Sequence, residues 1–246
     1  MLKRLVGALA TLIGASIAAQ SAEIKVLSDG PLQPALTEIA VLFQRQSNHT
    51  VQFGFGFSPA ISKRIMDGEG ADVVLVQPDF IEQLWKADKV LGGEHPVVAR
   101  IGTGLFVRAD ATAPSISTVD ALKRALLSAD TLVFANVGSG NHFATVLRRL
   151  GIAEQVQSKI VRGNPAEVVT RVVQGRGTDI GVGTITLIPL DKRLKLVGPL
   201  PQELQGYLIS EAAVMTSATA PEAARDFIRF LQSPTAKAAF AASGAD

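Results

Sequence analysis

Between Val133 and Gly151 the chain reads VFANVGSGNHFATVLRRLG, and this segment carries residue types suited to gripping a small anion. A strand ending at Ala135 runs into a polar loop, Asn136 to Asn141, and then into a helix. Phe143, Val146, Leu147 and Leu150 mark that helix's buried face, and Gly151 marks its end. Gly138 and Gly140 let the backbone approach a ligand closely, while Ser139 and Asn141 place hydrogen-bonding side chains at the positive end of a helix. The loop reads equally as a plain Gly-rich connection in which Ser139 or Asn141 is only an N-cap. A second turn, Phe57-Ser58-Pro59, sets a serine at an N-cap and a proline at the first helical position.

Catalytic chemistry finds less support. His49, His95 and His142 are isolated and form no HEXXH-like pattern, and GSGNH lacks the G-x-S-x-G arrangement of a hydrolase elbow. The chain has no cysteine, which excludes disulfides, thiolate metal sites, cysteine nucleophiles and a lipid-modified cysteine. The expectation is a protein that is not an enzyme, with no catalytic residue, no metal and no cofactor. Of the three histidines His142 alone lies beside the expected cleft; a helix-start histidine facing solvent is the favoured reading and contact with a ligand or pH tuning of its binding the alternative, while Trp85 and Tyr207 are read as packing residues. Lys63 and Arg64 follow the Ser58 turn by about one helical turn; exposed helix charges are the favoured reading, and pairing with a carboxylate ligand is the alternative.

These residues need elements to hold them. Glu23 to Ser28 reads as a strand stopping at Asp29-Gly30-Pro31, and Leu32 to Gln46 as a helix. Thr50 to Phe57 is a strand, with a helix from Ser58. Ala71 to Gln77 is a continuous apolar strand, the kind buried on both faces of a parallel sheet, and Phe80 to Ala87 a short helix. The alternation predicts an α/β sheet with right-handed crossovers. Gly104 to Arg108 and Thr131 to Ala135 are further strands flanking a helix from Thr118 to Ala129, with a new sheet starting near Gly104. Lys159 to Arg162 is a strand, and Asn164-Pro165 caps and opens the helix Ala166 to Gln174. Thr178 to Gly183 is a buried strand, Ala212 to Thr216 is strand-like, and helices follow from Pro221 to Gln232 and Pro234 to Ala242. Two sheet systems with late helices returning predict a bilobed chain, with Gly102 to Gly104 and Gly198 to Gly206 as hinge candidates.

The opening 22 residues read as an export signal: Lys3-Arg4, an apolar run from Leu5 to Ile17, then small residues at Ala18, Ala19, Ser21 and Ala22. Without Lys3 and Arg4 the 24 basic residues fall to 22, matching the 22 acidic ones. A neutral mature chain gives no reason to expect nucleic acid, whose affinity comes from clustered Lys and Arg.

The order of motifs resembles the periplasmic molybdate-binding protein family, within the type II extracellular solute-binding proteins of ABC transporters. The resemblance runs over the mature chain through LQPALTEIAVLF, FSPAISKRI, GADVVLVQPDFIEQLWK, RIGTGLFVRAD, VFANVGSGNHFATVLRRLGI, VVTRVVQGRGTDIGVG and AARDFIRFLQSPTAKAAFAASG. It implies a bilobed periplasmic-binding-protein-like α/β fold with two crossover segments: residues 23–104 and 205–246 form lobe one, and 105–204 lobe two. It also implies a monomer in the periplasm that captures a small anion and delivers it to the membrane permease of an ABC transporter, with delivery to a sensor as an alternative. At the family's contact positions Pro31 stands beside Gly30 in place of the usual serine, Ser58 keeps its hydroxyl, and Ser139 and Gly140 replace a proline and an alanine. Thr184 stands where the family has tyrosine. The expected ligand donors are Gly30, Ser58, Ser139, Gly140, Asn141, Thr184 and Thr186, uncharged groups converging on an anion. A molybdate-like oxyanion ranks first by resemblance, and a small organic carboxylate second because of the replaced contacts and because Asp29 lies beside the first turn.

Overall fold

The computed structural model describes residues 21–246, so the expected export signal lies, but for Ser21 and Ala22, outside the described residues. The alternating stretch Glu23–Asp29 forms β1, and α1 spans Gln33–Ser47 with Leu36, Ile39 and Phe43 buried along one stripe. The chain then runs through β2 (Thr50–Gly56), α2 (Ser58–Met66), β3 (Val73–Val76) and α3 (Pro78–Lys86). Next come β4 (Val97–Arg108), α4 (Val119–Ser128), β5 (Thr131–Ala135), α5 (Ser139–Arg149) and the short α6 (Ala153–Val156). It closes with β6 (Ile160–Gly163), α7 (Pro165–Gln174), β7 (Asp179–Thr184), β8 (Leu194–Pro199), β9 (Tyr207–Val214), α8 (Pro221–Leu231) and α9 (Pro234–Ala242).

β1 pairs in parallel with β2 and β3, β9 runs antiparallel between β3 and β4, and β7, β5 and β6 continue the sheet in parallel with one another. The all-apolar β3 is buried on both faces, as a strand between two helical layers must be. Local start signals hold several helices: Asn164 accepts from the Glu167 amide while the Glu167 carboxylate accepts from the Asn164 amide, and Thr118 and Ser233 cap α4 and α9.

The architecture is bilobed, and one strand joins its parts. β4 pairs with β9 from Val97 to Gly102 and with β7 from Thr103 to Phe106, so it enters the second sheet six residues after it starts. The sequence suggested a strand beginning only at Gly104; the earlier half is recruited by β9, a partner more than a hundred residues away. β8 was not expected, and β9 begins at Tyr207 instead of Ala212. The core divides with the sheets. On one side Phe43, Phe227 and Phe230 pack ring to ring among residues of β1, α1, β3, α8 and α9. On the other, Phe134 and Phe143 meet edge to face at 5.3 Å among residues of β5, α5 and β7. At the crossing point Gly104 has no room for a side chain, since a Cβ there would stand 2.6 Å from Ile185 Cγ2 and 2.9 Å from the Gly198 carbonyl.

Candidate functional site

The parallel strands aim their carboxyl ends at one region, the usual ligand-binding edge of an α/β sheet. β1 and β2 are in register at Asp29 and Gly56, and Ser28 lies beside Leu75 of β3. Three strand-to-helix turns therefore meet, bringing together residues far apart in sequence. Ser58 is fully buried, and its Oγ lies 2.6 Å from Asp29 Oδ2 while accepting from the Gln77 amide at 3.1 Å and from Gln77 Nε2 at 3.3 Å. A hydroxyl has one hydrogen, and that of Ser58 is committed to Asp29. Burial pushes the Asp29 carboxyl up to about 6, against the opposing pull of the hydrogen bonds from Ser58, and its Oδ1 has no partner among the described residues.

The cleft opens above this floor. Gln77, Thr103, Ser139, His142, Thr184 and Tyr207 surround a space of about 130 Å³, below the roughly 300–1,000 Å³ of drug-sized ligand sites and suited to a small solute. Gln77 comes from the first sheet, Ser139 and Thr184 from the second, and Thr103 and Tyr207 from the crossing strands. None of the residues lining this space is acidic. The Arg100 guanidinium stacks on the Tyr207 ring at 4.7 Å, adding positive charge beside the cleft. The loop that presents Ser139 depends on two glycines: Gly138 adopts φ 51° and ψ −123°, which L side chains resist, and a Cβ on Gly140 would overlap the Ala135 backbone. Gly140→Ala is expected to cost about 1–3 kcal/mol as strand and helix are forced apart, measured as a fall in the urea midpoint at an unchanged m-value.

Of the seven expected donors, the structure brings Ser139 and Thr184 to this cleft, and it corrects the reading of others. Ser58 reaches the ligand space only through Gln77, because its hydrogen serves a buried carboxylate; nor does it cap α2, whose N-cap is Phe57. Thr186 is buried and donates to the Pro31 carbonyl at 2.8 Å, tying the end of β7 to the first turn. Asn141 is exposed, and its Oδ1 accepts from Arg162 at 2.8 Å. Gly140 is buried against Ala135, and Gly30 lies at the first turn, where its carbonyl accepts from the Gln33 amide; neither lines the cleft. Lys63 pairs with Asp67, and Arg64 grips Glu69 with two nitrogens at 2.6 and 2.8 Å, so both cations face protein carboxylates.

Sequence reasoning missed Gln77, Thr103 and Tyr207; it set His142 beside the cleft while favouring a solvent-facing role for it. Tyr207 is 44% exposed and lines the cleft instead of packing in the core, and Trp85 is likewise 51% exposed. His142 is half-buried, and its Nε2 is 2.8 Å from the Leu204 carbonyl, so that nitrogen carries a hydrogen. Gln77 had a legible signal: Gln77-Pro78 repeats the strand, polar residue, proline, helix pattern of Ser58-Pro59.

Two hinged α/β bodies with uncharged donors converging between them define the class of proteins that enclose small solutes. The chain matches the family described as "Bacterial extracellular solute-binding protein" over residues 24–246, and it belongs to that family. It is therefore an extracellular solute-binding protein. It is 26% identical to an aconitate isomerase from Pseudomonas sp. over 227 residues, covering 90% of this chain and 86% of the relative. It is 26% identical to the molybdate-binding protein of Azotobacter vinelandii over 236 residues, covering 92% and 91%. Among solved structures, the substrate-binding domain of a putative molybdenum ABC transporter from Clostridium difficile superposes with a TM-score of 0.74 at 18% identity, covering 92% of this chain and 99% of that one.

Proposed function

We propose that the protein captures a small organic carboxylate between its lobes and hands it to the membrane permease of an ABC transporter. In this reading it works as a monomer in the periplasm after removal of residues 1–22, with lobe one formed by 23–104 and 205–246 and lobe two by 105–204. One observation carries the reading: Gln77, Ser139, Thr184 and Tyr207 converge as neutral donors from both sides of a cleft without an acidic lining residue. Neutral dipoles suit a buried anion, because they stabilise its charge without burying an unpaired cation once the ligand leaves. Closure follows from the ligand's greater affinity for the state in which both sets of donors reach it.

A carboxylate is favoured over a tetrahedral oxyanion because the Ser58 hydrogen is held by Asp29 and the first turn offers Gly30-Pro31 instead of a hydroxyl. The relative named for aconitate points to the same ligand class. The molybdate-binding relative supports a second reading, a molybdate-type oxyanion in the same cleft. We take the protein to bind without catalysis, in keeping with the family's description as solute-binding; His142, whose Nε2 donates to the Leu204 carbonyl, keeps only Nδ1 to accept a proton.

Calorimetric titration separates these readings. Among propionate, citrate, trans-aconitate, sulfate and molybdate, heat is expected from at least one carboxylate. Ser139→Ala is expected to weaken that binding by roughly 10- to 100-fold, the worth of a hydrogen bond to a charged group. Heat from molybdate or sulfate alone would establish the second reading, and silence from all five would remove the anion. Proton NMR of a cis- and trans-aconitate mixture should stay unchanged on adding the protein; interconversion would make it an enzyme.

A further inference from the structure

We propose that the bound carboxylate carries an apolar group, and that this group lodges in a second cavity of the 105–204 body that opens off the same donors. The inference rests on the carboxylate reading and narrows it to amphipathic monocarboxylates.

The second cavity, of about 130 Å³, lies between α7, β7 and the loop before α5. Phe106, Val137, Val168, Val182, Leu187 and Ile188 supply much of its wall. Gly138, Ser139 and Thr184 line both this cavity and the polar cleft, so the two spaces meet at those residues. The two hydroxyls that would hold a carboxylate therefore stand at the neck, with uncharged polar groups on one side and hydrocarbon on the other. A ligand whose head reaches Ser139 and Thr184 has its substituent directed either back toward Gln77 or onward into the apolar space. Apolar surface held open to water favours the second course, and Val137, in the cavity wall next to Gly138, is left 42% exposed.

Among the described residues no lysine, arginine or histidine lines this cavity, so a second carboxylate would meet no cation there. Asp191 lines the cavity, and its Oδ1 and Oδ2 are already paired with Arg193 Nε at 3.0 Å and Nη2 at 2.7 Å. The hydrogen bonds from the Arg193 side chain hold Asp191 down to about 2, so it stays ionised as half of an ion pair and offers a ligand no donor. A tricarboxylate such as trans-aconitate then has no place for its outer carboxylate in this cavity, whereas a hydrocarbon chain or ring does.

The test is calorimetry of the unmodified protein with the straight-chain acids from acetate to octanoate, and with citrate for comparison. Burying each added methylene is expected to tighten binding about three- to fourfold until the cavity is full. Val137→Asp, at an exposed position, and Val169→Phe, which narrows the cavity, are each expected to flatten the dependence on chain length. Affinity that is the same for short and long acids, or a slope untouched by both variants, overturns the inference and leaves the carboxylate reading standing. If straight-chain acids of every length are silent while citrate binds, this inference falls and the carboxylate reading stands; if citrate and trans-aconitate are silent as well while the circular dichroism is native, both fall.

Discussion

Replacing Asp72 with alanine is expected to destabilise the protein by about 3–5 kcal/mol, the cost of stranding several buried donors at once. Asp72 is buried and takes four hydrogen bonds: its Oδ2 accepts from the Lys25 amide at 2.8 Å, and its Oδ1 accepts from the Thr219 amide at 2.6 Å, the Thr219 hydroxyl and the Ala220 amide. Burial alone would raise this carboxyl. The donors from Lys25, Ala220 and Thr219 outweigh it and hold the group below the usual carboxylate range. One side chain thus closes the edge of β1 and supplies the acceptor that α8 lacks in its own N-cap, Ala220. Alanine leaves three backbone N–H groups without that acceptor. A chain of this size loses about 2–4 °C per kcal/mol, so the melting temperature should fall on the order of 10 °C. Asp72→Asn, which keeps the shape but loses the charge and one acceptor, should fall between the two. An alanine variant that melts with the wild type would show that the loop before α8 contributes nothing to the fold.

Asp29 is the opposite case, and its expected effect appears in the pH dependence. Its carboxyl rises from 3.8 to about 6 on folding, so between those values the native state holds a proton that the unfolded chain has released. The stability linked to that proton is fully present below about pH 3.8 and is lost as pH rises through 6. The loss is about 3 kcal/mol, from roughly 1.4 kcal/mol for each pH unit of displacement. Glu69, Asp72, Glu82, Asp110 and Asp191 are displaced downward and act with the opposite sign, their contributions fading as pH falls below about 4.5. The upper part of the profile, from about pH 5 to 7, therefore isolates Asp29. Asp29→Asn should remove the decline in that window, read from urea midpoints at matched ionic strength. The same decline in variant and wild type would show that Asp29 titrates alike in the folded and unfolded chains.

The contrast between these two aspartates shows where sequence reading stops. Both follow or begin apolar strand segments, and neither neighbourhood reveals that one meets four donors and the other a single hydroxyl. The same limit governed the candidate donors. Ser139 was found from the Gly-rich loop that opens a helix, and Thr184 from the resemblance of the motif order to a known family. Ser58 likewise opens a helix, yet its hydrogen is directed to Asp29, 29 residues earlier, and Thr186 is held by Pro31 across 155 residues. Tyr207 looks like a packing residue from its neighbours, and only the return of the chain beside β4 places it at the cleft.

What the sequence alone determined was the set of local periods: apolar runs for buried strands, helical spacing for α5 and α7, the Asn164 and Glu167 cap, and the alternation that makes an α/β chain in two bodies. Those features depend on residues within a few positions of one another, so the local chain encodes them in full. Tertiary structure decided the partner of each strand, the passage of β4 through both sheets, and which hydroxyls keep a hydrogen for a ligand. Those outcomes turn on hydrogen bonds and burial between segments tens to more than a hundred residues apart, and a polar group's chemistry is set by whichever partner folding places against it.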